Sequence, residues 1–328
     1  MKRLRIAFTD FPGPFNPTRI TRLLSQRFEV AVVGENPDYV LFSVFGNEYL
    51  KYPDAVRIFF TGENVHPDFN LCDYAFGYDW LSFEDRYCRC PNYQLYDQFD
   101  DLCRRKKSDP PPDREVLAKR KFCNFIYSNG KAHPFRDQFF HLLCRYRNVD
   151  SAGAHLNNIG STLGKAYQGD WSREKVKFQR EYKFSVAFEN SSTLGYTTEK
   201  IVHALAADTI PIYWGNPAVA REFNSRRFIN CHEFVSPAEV IDRIQEMDQA
   251  DEVYRQILAE PFFPAGEVPQ HLREENVLAQ FDHIFSQSKA EALRRNRYVW
   301  GRRYEERRIS EVQARAALEG RGNRVDGM

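Results

Sequence analysis

The stretch Phe184–Gly215, FSVAFENSSTLGYTTEKIVHALAADTIPIYWG, gathers residue types suited to a nucleotide. A strand-like run ends at Phe188, polar and glycine residues follow, and helical spacing begins near Thr197, with Thr197 or Thr198 placed to cap it. A helix start presents free N–H groups and a partial positive charge, which suits a diphosphate. Lys200 adds a full positive charge there, Glu199 offers oxygens that could accept the hydroxyls of a ribose, and Tyr196 offers a flat ring. The plainer reading is that Glu199 and Lys200 decorate a first helical turn, where acids are common, and residue types alone lean that way. A second acid, Glu63, follows a strand-like run on the Thr-Gly loop of FTGENVHPDF (Phe60–Phe69). A parallel sheet places functional loops at such a point, and the plainer alternative is an exposed loop acid. His66 and His133 each sit beside a proline in loops and read as bystanders.

Other devices are missing from the sequence. There is no Gly-x-Gly-x-x-Gly and no His-Glu-x-x-His. Gly160–Ala166 (GSTLGKA) imitates a phosphate loop, but it is one residue short and has Ala where Ser or Thr must reach magnesium. No Asp-x-Asp pair exists to bridge a metal and a diphosphate, so no metal requirement is predicted.

The elements that must position these residues alternate between strand and helix. Leu4–Phe8, Glu29–Val33, Tyr39–Phe45 and Val56–Phe60 read as strands, with helical spacing over Thr18–Arg27. RRKKSDPPPD (Arg104–Asp113) reads as a linker, since three prolines after a charge run continue neither a helix nor a central strand. The alternation then resumes. Strands are predicted at Phe122–Tyr127, Lys183–Phe188 and Thr209–Trp214. Helices are predicted at Phe135–Arg147, Trp171–Glu181 and Thr198–Ala207, across Pro237–Ala259 and at Leu272–Phe285. This predicts an α/β protein with two Rossmann-like domains facing a cleft: 1–115, 116–285, and a tail from 286 to 328. The aromatic belt Tyr74–Tyr96 reads mostly as core, with sugar stacking as the alternative.

Composition narrows the class. The 328 residues carry 46 basic and 45 acidic side chains, a net charge of +1, which argues against nucleic-acid binding. No run approaches the length of a membrane span, and the apolar part of MKRLRIAFTDF is too short for a secretion signal. Seven cysteines without a CxxC pair read as free thiols in a reducing compartment, hence the cytoplasm. From Ser286 onward, eleven Lys and Arg face six Asp and Glu, punctuated by Tyr298, Trp300 and Tyr304. Such a helix either lies on an anionic surface, peripheral to the inner membrane, or docks on the body and frays at its end. Oligomeric state is not encoded in any pattern here.

Three motifs carry a resemblance. Phe184–Ser191, Tyr196–Lys200 and Pro211–Gly215 resemble the donor-binding motif of the α-1,3/4-fucosyltransferases, glycosyltransferase family 10, with Thr197 where the family usually has Val. Thr61–Asn64 resembles that family's Thr-Gly-Glu-Asn element, and Ser128–Arg136 (SNGKAHPFR) its Ser-Asn…Arg stretch. Similarity runs from about Val56 to Phe285. The resemblance implies a GT-B fold, an N-terminal acceptor domain and a C-terminal donor domain. It implies GDP-β-L-fucose as donor, with no required cofactor and a divalent metal at most stimulatory. The acceptor would be a GlcNAc-containing glycan, typically N-acetyllactosamine at the 3-hydroxyl, in a bacterial surface glycan of the lipopolysaccharide or Lewis-antigen kind. Glu63 would be the general base. Arg136 and Lys200 would hold the diphosphate, Glu199 the ribose hydroxyls, and Ser128, Asn129, Asn190 and Tyr196 would line the nucleotide site. Another sugar-nucleotide transferase on the same scaffold, or a non-catalytic glycan- or nucleotide-binding protein, are the competing readings.

Overall fold

Short runs rich in β-branched and aromatic residues form the two sheets of the molecule, both parallel throughout. The computed structural model describes residues 1–13, 17–105, 120–163 and 170–322, the last four of these by backbone alone. They form two compact units. The first takes in Met1–Gly77, Leu81–Cys90 and the chain from Glu274 onward; the second takes in Tyr78–Trp80 and Pro91–Arg273.

In the first unit the strands are β1 (Lys2–Thr9), β2 (Phe28–Val32), β3 (Tyr39–Phe42), β4 (Val56–Phe60), β5 (Tyr74–Gly77) and β6 (Tyr87–Arg89). Their order is β2-β1-β3-β4-β5-β6. β3, β4 and β5 are buried almost throughout, the signature of a parallel sheet covered on both faces. The chain's last helices supply part of that cover. Glu274–Ser286 sets Phe281 against Phe76 and Phe285 against Phe28 and Tyr39. The helix Val299–Gly322 sets Ile309 and Val312 against the cluster around Val40, Phe59 and Leu71.

A buried charge network fastens this end of the chain. Asp73 (0 % exposed) accepts the backbone N–H groups of Arg294 and Arg295 at 2.8 and 2.9 Å, and that of Arg57 at 2.7 Å. The Arg295 guanidinium pairs with the same carboxylate, and the buried Arg57 pairs with Glu305 at 2.7 Å. Two cations and two anions thus balance inside the unit, which is what makes their burial tolerable. Through Val312 the tail docks on the body.

In the second unit the strands are β7 (Lys121–Phe125), β8 (Val149–Ser151), β9 (Tyr182–Phe188), β10 (Ile210–Trp214) and β11 (Ile229–Asn230), in the order β11-β10-β9-β7-β8. This repeats the winding of the first sheet: strand two beside strand one, then three, four and five. One face carries Phe122, Phe125, Phe184 and Ile212 against the helices Phe135–Tyr146, Pro237–Gln249 and Asp251–Ala259. The other carries Ala187 and Tyr213 against Asp97–Arg104, Trp171–Gln179 and Glu199–Ala206.

The division differs from the expected 1–115, 116–285 and 286–328. Asp97–Arg104 already belongs to the second unit, where Phe99 and Leu102 enter its core and Asp97 pairs with Arg173 at 3.0 Å. Glu274–Ser286 and the tail belong to the first. The linker Arg104–Asp113 falls mostly outside the described residues, as does the end of the phosphate-loop mimic Gly160–Ala166. Among the described residues no helix is long and apolar enough to cross a membrane.

Candidate active site

β7 and β9 are neighbours in the sheet, and the chain leaves them in opposite directions, to β8 on one side and β10 on the other. Ligands of open α/β sheets sit outside the carboxyl ends of the strands at such a switch point. The loops that emerge there are Ser128–Arg136 after β7 and Glu189–Lys200 after β9.

Glu189, the first residue beyond β9, is fully buried. One of its oxygens accepts the Thr198 N–H at 2.8 Å, and the other accepts the Thr198 hydroxyl at 2.7 Å and the Lys200 ammonium at 3.0 Å. The helix Glu199–Ala206 is therefore capped by a glutamate from the preceding strand end, not by the side chain of Thr197 or Thr198. Gly215, at the end of β10, leaves the room this needs: a Cβ there would stand 2.4 Å from Cγ of Glu189. Asn216 ties the knot from below. Its Oδ1 accepts the N–H groups of Gly195 and Ala218, and its Nδ2 donates to Thr197 and Glu222.

The electrostatics follow from this burial. Desolvation works against the charge on Lys200, but Glu189 and Glu199 more than reverse it and hold the ammonium well above the usual lysine range. Burial pushes the Glu189 carboxyl up. Burial also opposes ionisation of Glu199, yet Lys200, Lys175 and His203 outweigh it and hold that carboxyl at about 2. Lys175 itself is 6 % exposed beside the Trp171 ring, and desolvation brings it down to about 8.

Arg136 lies in the first turn of the helix Phe135–Tyr146 and is fully buried. Its guanidinium donates to the Asn129 carbonyl at 2.8 Å and to Oδ1 of Asn190 at 3.4 Å, faces Asp137 at 3.3 Å, and lies over the Tyr127 ring at 4.5 Å. What it offers a ligand in this state is a fixed loop and a positive field rather than open donors. Ser128 and Asn129 are exposed on that loop. Tyr196, expected to offer its ring face, is 2 % exposed and meets Tyr78 edge-on at 5.1 Å.

Ser128, Asn129, Arg136, Asn190, Tyr196, Glu199 and Lys200 thus gather at one end of the second sheet. Glu63 stands in the first unit, exposed on the loop after β4, where its N–H donates to the Thr61 hydroxyl at 3.0 Å. Sequence reasoning passed over Glu189, Asn216 and Lys175. Glu189 lies inside the Phe184–Ser191 motif and Asn216 directly after Pro211–Gly215, so position was the available signal. Lys175, in a charged helix, gave none. Among the described residues no group of three or more His, Cys, Asp or Glu could hold a metal ion.

Two parallel sheets of one winding order, with charge gathered at the switch point of the second, define an α/β protein of the GT-B glycosyltransferase class. Two family models match: the α-(1,3)-fucosyltransferase FucT N-terminal domain over residues 6–96, and the glycosyltransferase family 10 (fucosyltransferase) C-terminal domain over 116–259. The α-(1,3)-fucosyltransferase FucT of Helicobacter pylori is 34 % identical over 298 residues, which are 78 % of this chain and 60 % of that protein. A crystal structure of an α1,3-fucosyltransferase superposes with a TM-score of 0.72 at 30 % identity, over 88 % of this chain and 91 % of that one. The same kind of enzyme solved with GDP-fucose superposes at 0.70, with 30 % identity over 88 % and 92 %. The chain belongs to glycosyltransferase family 10. It spans about 60 % of the length of the Helicobacter relative.

Proposed function

We propose that the chain is an inverting α-1,3-fucosyltransferase that moves L-fucose from GDP-β-L-fucose to the GlcNAc 3-hydroxyl of an N-acetyllactosamine-type glycan. The observation that carries this reading is the Glu189–Thr198–Lys200 knot at the switch point of the second sheet, buried at Glu189 and Thr198 and partly open at Lys200, with Glu199 ionised beside it. Such a site binds a nucleoside diphosphate through preorganised positive charge and a carboxylate that accepts ribose hydroxyls. Family membership and the GDP-fucose complex of a 30 % identical enzyme support the choice of donor.

In the proposed reaction the acceptor hydroxyl gives its proton to the Glu63 carboxylate while its oxygen attacks the fucose anomeric carbon. The bond from that carbon to the β-phosphate oxygen breaks, and GDP leaves with the bonding electrons. The β-linked donor becomes an α-linked product. The positive field of Lys200 and Arg136 and the start of the helix Glu199–Ala206 stabilise the growing charge on GDP. Asn190 and the Ser128–Asn129 loop border the nucleotide, and Tyr196 backs the site from inside. Neither base nor leaving-group charge calls on a metal in this scheme.

The site of action proposed is the cytoplasmic face of the inner membrane. Exposed Tyr298, Val299 and Trp300, flanked by Arg297, Arg302 and Arg303, form the surface that would touch anionic lipid. The experiment that decides the main reading is a transfer assay with GDP-fucose and N-acetyllactosamine, with product linkage read by NMR. Formation of the α-1,3-fucosylated trisaccharide is the expected result. Absence of both product and GDP-fucose binding overturns it, and preference for another sugar nucleotide replaces the donor.

A further inference from the structure

The carboxyl ends of β3 and β4 open into a cavity of about 540 Å³ inside the first unit, within the ordinary range for a small-molecule site. One wall comes from the sheet loops and includes Val65, His66 and Asp68, directly after Glu63. The opposite wall comes from the helix Val299–Gly322, through Tyr304, Arg307 and Arg308. That helix lies beyond residue 259, the last position matched by either family model.

The walls are built differently. Tyr304 donates its hydroxyl to Asp68 at 2.8 Å, and Arg308 donates to Oδ1 of Asn47 at 3.0 Å, so both side chains are fixed. Ile309 and Val312 anchor the helix to the core beneath, and the Arg57–Glu305 pair locks it one turn earlier. Arg307, exposed at the rim, makes no hydrogen bond or ion pair among the described residues. The floor is apolar, with Phe42, Phe59 and Leu71. An apolar floor with planar polar groups and one uncommitted guanidinium at the rim suits a neutral pyranose, which has an apolar C–H face and an equatorial belt of hydroxyls.

We propose that this cavity is a subsite for the acceptor sugar next to the one that reacts, a neutral hexose, and that the helix Val299–Gly322 selects it through Arg307 with Tyr304 holding the rim. This rests on the fucosyltransferase reading for the identity of the ligand and on the cavity for its place. The test uses the full chain, Arg307→Gln and Tyr304→Phe, with GDP-fucose as donor and either GlcNAc or N-acetyllactosamine as acceptor. Arg307→Gln should raise KM for N-acetyllactosamine about tenfold, the usual weight of one hydrogen bond to a charged group. KM for GlcNAc, KM for GDP-fucose and kcat should stay within about twofold, and Tyr304→Phe should show a smaller loss of the same kind. An equal change for both acceptors, or none, overturns the subsite. If the wild-type chain transfers no fucose, the function reading falls separately. The subsite is then read by saturation-transfer NMR on N-acetyllactosamine. Galactose signals lost in Arg307→Gln support it, and signals equal to wild type overturn it.

Discussion

The two sheets share one winding order, yet their functional ends are built on opposite principles. In the second unit, Glu189, Thr198 and Arg136 are buried and Lys200 is nearly so, each bonded to another of them or to the surrounding loops, so the groups that set the field also hold the fold. In the first unit, Glu63 is exposed on a loop and, among the described residues, holds its neighbours through backbone groups. A preorganised electrostatic site needs fixed charges, and fixing charges takes burial and partners. A proton acceptor needs only reach and freedom from competing bonds. Charge and stability are therefore coupled in one unit and separable in the other.

The sharpest way to break this contrast is Glu63→Gln. Turnover should fall by about 10²–10⁴, the share of general-base catalysis, while the melting temperature and GDP-fucose affinity stay near wild type. Steady-state kinetics and calorimetry read this together, and unchanged kcat removes Glu63 from the reaction. Lys200→Met should do both kinds of damage. It removes positive charge from the proposed donor site and leaves Glu189 buried without its ion pair, at about 3–5 kcal/mol. A fall in melting temperature of roughly 10 °C should accompany the loss of donor binding. Lost binding at unchanged stability would mean the knot is not structural.

Lys175→Met is the subtler probe. The lysine titrates at about 8 in the folded chain and near 10.5 when exposed, so between those values the unfolded chain carries the proton and the folded one does not. Wild-type stability therefore gains from this residue as pH rises from 8 toward 10.5, and below 8 burying the charge costs up to about 3 kcal/mol. The variant should melt higher than wild type at pH 7 and lose that advantage by pH 10. A constant difference across this range would show that Lys175 keeps its proton.

Much of this was legible in the sequence where burial and chain direction follow from local pattern. Val56–Phe60 appears with the predicted ends, and Phe135–Tyr146, Trp171–Gln179 and Glu199–Ala206 fall within two residues of theirs. The short strands Tyr74–Gly77, Tyr87–Arg89, Val149–Ser151 and Ile229–Asn230 were not. At two to four residues they carry no period, and only their neighbours in the sheet make them strands. The site residues were legible as types but not in their states: nothing local says that Arg136 is sealed beneath a loop or that Tyr196 turns inward. Long-range pairs were least legible. Asp73 meets Arg295 across more than two hundred residues, and no spacing rule links them.

That last pairing sets the order in which the chain is finished during synthesis. The unit that holds the first strand also needs Arg295, Glu305 and Ile309, so it stays incomplete until those residues have left the ribosome. Among the described residues, the other unit has every strand by Asn230 and its last α-helix by Ala259. Domains usually mature from the amino end. Here Arg295, Ile309 and Val312 close the first-made sheet, and a nascent chain stalled near residue 290 would carry one finished unit and one open one.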